Sequence, residues 1–257
     1  MRTAALLLLL LAAPAGAAFD HSHAAWGRVL DARWREGLVD YEGLHADPSD
    51  LDSYLDAVAS VEEGEYTSWT PQQRLAFWIN AYNAFSVKAV VDHYPLKRPW
   101  WRARAYKFPA NSARQIERWE ALNFTAAKQA VTLGEARALA LKLSDDPRLA
   151  LALSCSCRGG PGLPGKPFTA ETLDEQLEEA ARAFVSNPMR LRLDSERRAI
   201  AFAPALRELG GRAFALRYAR PEQAKALEDP DWTVEYLPQD WSLDELGARE
   251  AGQRPSL

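Results

Sequence analysis

Residues 70–95 read TPQQRLAFWINAYNAFSVKAVVDHYP. Thr70 is a capping residue, and Pro71 suits the first helical position because its missing N–H would have no helical partner there. From Gln72 the pattern runs to Tyr94, where Pro95 stops it. Leu75, Trp78, Ile79, Tyr82, Phe85, Val87, Val90 and Val91 cover most of the circumference. A helix that is apolar nearly all round must be buried on all sides, so this one belongs in the middle of a domain.

The elements on either side are built to pack around it. N-terminally, Asp50 to Val61 carries Leu51, Tyr54, Leu55 and Val58 at amphipathic spacing, with Gly64 beyond its end. Phe19 to Trp34 reads as a first helix, and Val39-Asp40-Tyr41 as a short extended link. C-terminally, Leu96 to Ala130 has no clear period but holds a basic-aromatic patch from Lys97 to Lys107. Thr132 and Glu135 form a capping box that opens a helix to Leu143. Leu149 to Leu153 is a short apolar run expected as a buried strand. A glycine- and proline-rich loop spans Arg158 to Pro167, and Thr169 to Val185 is helical. Past Pro188 the period changes to two. Leu191 and Leu193 alternate, then Ile200 and Phe202, which predicts a β-hairpin. Leu206 to Tyr218 is expected to be helical despite Gly210-Gly211, and Val234 to Leu237 to be a late strand. The expected class is α+β: a mainly helical single domain over residues 18–257, with a central buried helix, a short buried strand and a C-terminal β-hairpin.

Residues 1–17 read differently. One positive charge at Arg2 precedes an apolar run from Ala4 to Ala13, Pro14 breaks it, and Ala15-Gly16-Ala17 supplies a small-x-small cleavage pattern. That order is a secretory signal peptide, so the mature chain is expected to begin near Ala18 in the periplasm or outside the cell. The run is shorter than the ~20 residues a membrane-spanning helix needs, and no second long apolar run follows it. With 31 basic and 35 acidic residues the net charge is −4, which gives no global attraction to nucleic acid or anionic lipid. The only two cysteines, Cys155 and Cys157, are too few for a disulfide-stapled scaffold. Separated by one residue, they are expected as thiols or as a labile bond.

The block Phe77-Trp78-Ile79-Asn80-Ala81-Tyr82-Asn83-Ala84 resembles the hallmark helix of the domain of unknown function 547 family. Further matches follow in family order: Phe19-Asp20-His21-Ser22, Val39-Asp40-Tyr41, Ala152-Leu153-Ser154-Cys155, Phe168 to Leu177, and Tyr236-Leu237 with Asp240-Trp241-Ser242-Leu243. The resemblance carries no firmly established activity. It implies a Glu-His pair in the helix that starts near Thr132 and a second Cys followed by Pro, a set that suggests a Cys/His hydrolase-like site. This chain departs from both. The Glu-His positions fall on Arg137 and Ala138 and the second Cys on Gly159, with Cys157 as a substitute after a local shift.

The candidate site residues are Trp78, Asn80, Tyr82, Asn83, Cys155 and Cys157. Asn80 and Asn83 share a face of an otherwise apolar helix. Such amides either brace neighbouring loop backbone, since unpaired buried polar groups are costly, or orient a ligand as donors. Trp78 and Tyr82 are core residues or a ligand platform. Cys155, where an apolar run gives way to a loop, is the candidate nucleophile, but it needs a lowered pKa, usually from an imidazole. His21, His23, His45 and His93 are the histidines, and none occupies the family's His position. No metal site or cofactor motif emerges: Cys155-x-Cys157 lacks zinc spacing, and Arg158-Gly159-Gly160-Pro161-Gly162 has prolines where a phosphate loop needs N–H donors. The expected role is that of an exported, non-catalytic binding or scaffolding protein for a small-molecule, peptide or envelope-polymer ligand. The rival is a thiol hydrolase or acyl transferase using Cys155, and a third reading is redox chemistry at the two cysteines.

Overall fold

A computed structural model describes residues 18–96 and 108–247. The expected signal segment and the patch from Lys97 to Lys107 lie outside the described residues. The long helix, α5, spans Pro71–Asp92. Its start is a closed capping box: Gln73 N donates to Thr70 Oγ1 at 3.2 Å, and Thr70 N donates to the Gln73 side chain at 2.9 Å. Leu75 to Val87 is buried without interruption.

Four earlier helices come before it: α1 (Ala24–Arg33), α2 (Tyr41–Ala46), α3 (Ser49–Ser60) and α4 (Glu63–Ser68). Between α1 and α2, β1 (Trp34–Arg35) and β2 (Leu38–Val39) form a minimal antiparallel pair. Gly64 sits inside α4 rather than in an open loop. After α5 come β3 (Asn123–Ala126) and β4 (Gln129–Thr132), an antiparallel hairpin, and then α6 (Leu133–Lys142), which packs on α5. The Thr132–Glu135 capping box opens α6 as its spacing predicts.

The expected buried strand at Leu149 to Leu153 is instead one helical turn, α7 (Leu149–Ala152). An apolar run this short cannot be assigned by period. Its composition favours the turn, because Leu and Ala are good helix formers and no β-branched or aromatic residue is present. Leu149 N and Leu151 N donate to Asp146 O and Arg148 O, which starts the turn.

The C-terminal third is organised around a three-stranded sheet. β5 (Leu191–Asp194) and β6 (Ala199–Phe202) make the predicted hairpin, with Leu191 opposite Phe202 and Leu193 opposite Ile200. β7 (Thr233–Tyr236) joins β6 in parallel. Parallel neighbours need a crossover connection, here α9 (Pro204–Glu208), α10 (Arg212–Tyr218) and α11 (Pro221–Glu228). The single helix expected over Leu206 to Tyr218 is therefore two, divided at Gly210-Gly211. With α8 (Leu173–Ser186), these elements bury a second apolar cluster that includes Phe184, Ile200, Phe202 and Leu206. The larger cluster surrounds α5. Together the elements are mainly helical with small sheets, an α+β architecture. No described helix is long and apolar enough to cross a membrane.

After β7 the chain returns to the first cluster as a strap, residues 237–246. Leu243 is buried there, Val39 N donates to Asp244 O at 2.8 Å, and Leu246 N donates to Val39 O at 2.8 Å.

Candidate functional site

Asn80 and Asn83 are fully buried, and both atoms of each amide are committed to backbone. Asn80 Nδ2 donates to Phe168 O at 2.7 Å, and Phe168 N donates to Asn80 Oδ1 at 2.9 Å. Asn83 Nδ2 donates to Ala152 O at 2.9 Å, and Ser154 N donates to Asn83 Oδ1 at 2.9 Å. The two amides therefore pin both ends of the segment from Ala152 to Phe168. Little donor capacity is left for a ligand.

Cys155 and Cys157, inside that segment, are joined by a disulfide. Of the two states the sequence left open, the bonded one is observed. Ser156 between them holds a positive φ of 49°, in the left-handed region that non-glycine residues seldom adopt. A Cβ on Gly160 would lie 2.2 Å from Cys155 Sγ, so only glycine fits beside the bond. A Cβ on Gly159 would lie 2.5 Å from Asp240 N of the strap. A second cysteine therefore has no room at position 159, and Cys157 supplies the second sulfur.

The histidines have other partners. His23 Nδ1 and the Tyr54 hydroxyl share a hydrogen bond at 2.8 Å. His45 Nδ1 lies 2.9 Å from Val91 O, and His93 Nδ1 lies 2.8 Å from Ala89 O at the end of α5. His21 packs edge-on to Trp69 with ring centroids 4.6 Å apart. Among the described residues no imidazole is hydrogen-bonded to either sulfur. No group of three or more His, Cys, Asp or Glu is placed among them to hold a metal ion.

A buried polar cluster that sequence reasoning missed adjoins this loop. Asp244 on the strap is 2 % exposed. Its Oδ1 accepts the Tyr41 hydroxyl at 2.9 Å, and its Oδ2 has no partner. Burial raises its carboxyl to about 6, against the pull of Tyr41, Arg190 and Arg158. Arg190 is also buried, and desolvation lowers its guanidinium to about 10. It donates to Arg158 O through one terminal nitrogen while Nε stays unpartnered. An Asp in a C-terminal tail gives no sequence signal of burial, because nothing in its neighbourhood shows that the strap returns to β2.

Trp78 leads elsewhere. Its indole Nε1 donates to the Tyr66 hydroxyl at 2.8 Å, and its ring lines an open cleft of about 480 Å³. Tyr66 and Glu63 of α4 form one wall, and Ala126, Ala127, Ala130 and Val131 of the β3–β4 hairpin form another. α6 supplies Glu135, Ala138, Leu139 and Lys142. The cleft exists because four alanines stand where larger side chains would fill it. Leu139, 39 % exposed, offers it a bare apolar surface. Tyr82, one turn further along α5, is 5 % exposed and faces the core near Arg137. Of the candidate residues, then, Trp78 lines the cleft, Asn80 and Asn83 brace the loop, and Cys155 and Cys157 form the bond within it.

The family model described as "Protein of unknown function, DUF547" matches residues 66–185. That span runs from α4 through α8 and holds Trp78, both amides, the α6 wall and both cysteines. No curated protein and no solved structure matches the chain.

Proposed function

We propose that this chain, which the DUF547 family model matches over residues 66–185, is an exported, non-catalytic binding protein that holds a small molecule with an apolar body in the Trp78 cleft. The observation that carries this reading is the cleft itself. Its volume of about 480 Å³ falls in the range typical of small-molecule sites. Its lining is mostly apolar, with an aromatic ring on one side and Gln129 and Lys142 available to orient a polar end. Ala138, the position that resembles the family's His, puts a methyl group into this wall. A thiol hydrolase would need a free Cys155 thiolate and an imidazole to sustain it. Both sulfurs are bonded to each other instead, and no imidazole among the described residues is hydrogen-bonded to either of them. Export rests on the charge, apolar run and small-x-small order of residues 1–17, and a disulfide suits an oxidising compartment.

Titration of the whole chain with a neutral naphthylamine fluorophore tests the reading. We expect saturable one-to-one binding that Ala138→Trp weakens, since a ring at this position of the α6 wall takes up space in the cleft. Absence of saturation, or unchanged binding by Ala138→Trp, would refute the cleft as the site.

A further inference from the structure

The two sulfurs of the Cys155–Cys157 bond stand in unlike surroundings. Cys157 is 2 % exposed, and Gln239 Nε2 from the strap donates to its Sγ at 3.5 Å. Cys155 is half-buried, and its Sγ has carbonyl oxygens for neighbours: Cys157 O at 3.5 Å and Pro161 O at 3.9 Å. An N–H dipole favours negative charge on a sulfur, whereas carbonyl lone pairs oppose it. In thiol–disulfide exchange the attacked sulfur ends in the new bond and the departing sulfur takes the charge. Access and polarity therefore select the same outcome, with attack at Cys155 and departure of Cys157.

We infer that Cys155–Cys157 is an exchangeable disulfide that accepts a low-molecular-mass thiol at Cys155, with Gln239 stabilising the departing Cys157 thiolate. The incoming thiol gives its proton to solvent, and its thiolate attacks Cys155 Sγ. A new S–S bond forms to Cys155, the Cys155–Cys157 bond breaks, and its electron pair leaves on Cys157 Sγ. A second thiolate attacking the incoming sulfur of the mixed disulfide would release Cys155. The pair would then be reduced by two electrons and the external thiol oxidised to its disulfide.

The exchange has a structural consequence. The residues just after Cys157 carry the strap: Arg158 N donates to Ser242 O at 2.8 Å, and Gly159 N donates to Asp240 O at 2.8 Å. Arg158 Nε donates to Leu243 O at 3.2 Å. Opening the bond frees the loop from its left-handed Ser156 turn, so that Cys157, with its Gln239 contact, is no longer tethered to Cys155. Thiol exchange at Cys155 is thereby coupled to release of residues 239–246.

The test mixes the oxidised full chain with reduced glutathione at neutral pH, quenches with acid and maps the peptides by mass spectrometry. The expected product carries glutathione on Cys155 and a free thiol on Cys157, with faster amide hydrogen exchange confined to residues 239–246. Gln239→Leu should slow the reaction about three- to tenfold, the worth of one hydrogen bond to the departing sulfur. Glutathione found on Cys157 would overturn the inference, as would exchange that proceeds only after unfolding in guanidinium. The position of glutathione is read on the unmutated protein, so the direction of attack is decided even if the variant folds poorly. An unchanged rate in a folded Gln239→Leu would remove Gln239 from the reaction.

Discussion

His23, in the packing of α1 against α3, and Asp244, on the strap, are built alike and respond oppositely. Each is almost fully buried, each has one side-chain atom bonded to a tyrosine hydroxyl, and each has a second atom with no partner. Tyr54 serves His23 and Tyr41 serves Asp244. Burial disfavours charge in both places, and for a base and an acid that has opposite results. Desolvation lowers the His23 imidazole to about 4, with His21 adding to the effect and Asp20 opposing it. It raises the Asp244 carboxyl to about 6. Between those values the folded protein carries both groups neutral. One kind of enclosure thus writes two opposed pH dependences into one fold.

The largest expected effect is a control that ignores pH. Phe77→Ala removes a fully buried ring that packs against Phe19, Tyr66, Trp69 and Trp78. It should cost about 3–5 kcal/mol in denaturant melts, by the same amount at pH 4 and pH 7. A cost that varies with pH would mean that this core is coupled to the titrating groups.

The next effect separates the pair. An unfolded histidine binds a proton below about 6.5 and folded His23 only below about 4, so in that window the unfolded state holds more protons and stability rises with pH. Folded Asp244 keeps its proton up to about 6 and the unfolded acid only to about 3.8, so in the overlapping window stability falls with pH. Each contribution amounts to roughly 3 kcal/mol, and they nearly cancel. Asp244→Asn should therefore unmask a stability that climbs between pH 4 and pH 6. His23→Asn, which tolerates the left-handed backbone at that position, should unmask one that declines. Parallel profiles in the two variants would defeat the comparison.

The smallest effect tests the tyrosine links. Tyr41→Phe and Tyr54→Phe each leave a buried group with no partner, at a cost of about 1–3 kcal/mol. The loss in Tyr41→Phe should be greater at pH 7, where Asp244 is charged. The loss in Tyr54→Phe should be the same at pH 7 and pH 6, where His23 stays neutral. Equal pH behaviour of the two variants would count against the assigned charge states.

How far the sequence reveals these arrangements depends on whether the deciding interactions are local. α5 is legible because its cap, its proline and its apolar circumference all lie within 26 residues. The β5–β6 hairpin is legible because its alternation and turn are adjacent. The β3–β4 hairpin is not. Its turn is Ala127-Lys128, both with positive φ, where the usual signal is Asn or Gly. That turn is held from outside: Ala127 N donates to Val58 O at 3.0 Å and Lys128 N donates to Ala59 O at 2.9 Å. The residues of the site were legible one at a time, but their grouping was not. Asn80, Asn83 and Cys155 stand out by type, whereas the cleft is a space bounded by alanines, and the environment of Asp244 depends on a contact 203 residues away.

That long-range contact bears on the order of assembly. The strap and β7 are made after nearly everything they touch, and both close edges that stand open until then. β6 has a free side until Thr233–Tyr236 arrives, and β2 has one until Asp244 to Leu246 arrives. An unpaired strand edge is a template for pairing with another chain, and contacts of such high sequence separation form slowly. A chain that emerges N-terminus first therefore passes through a stage in which both edges are bare. During that interval, self-association of unfinished chains competes with residues 233–246 for the same hydrogen bonds.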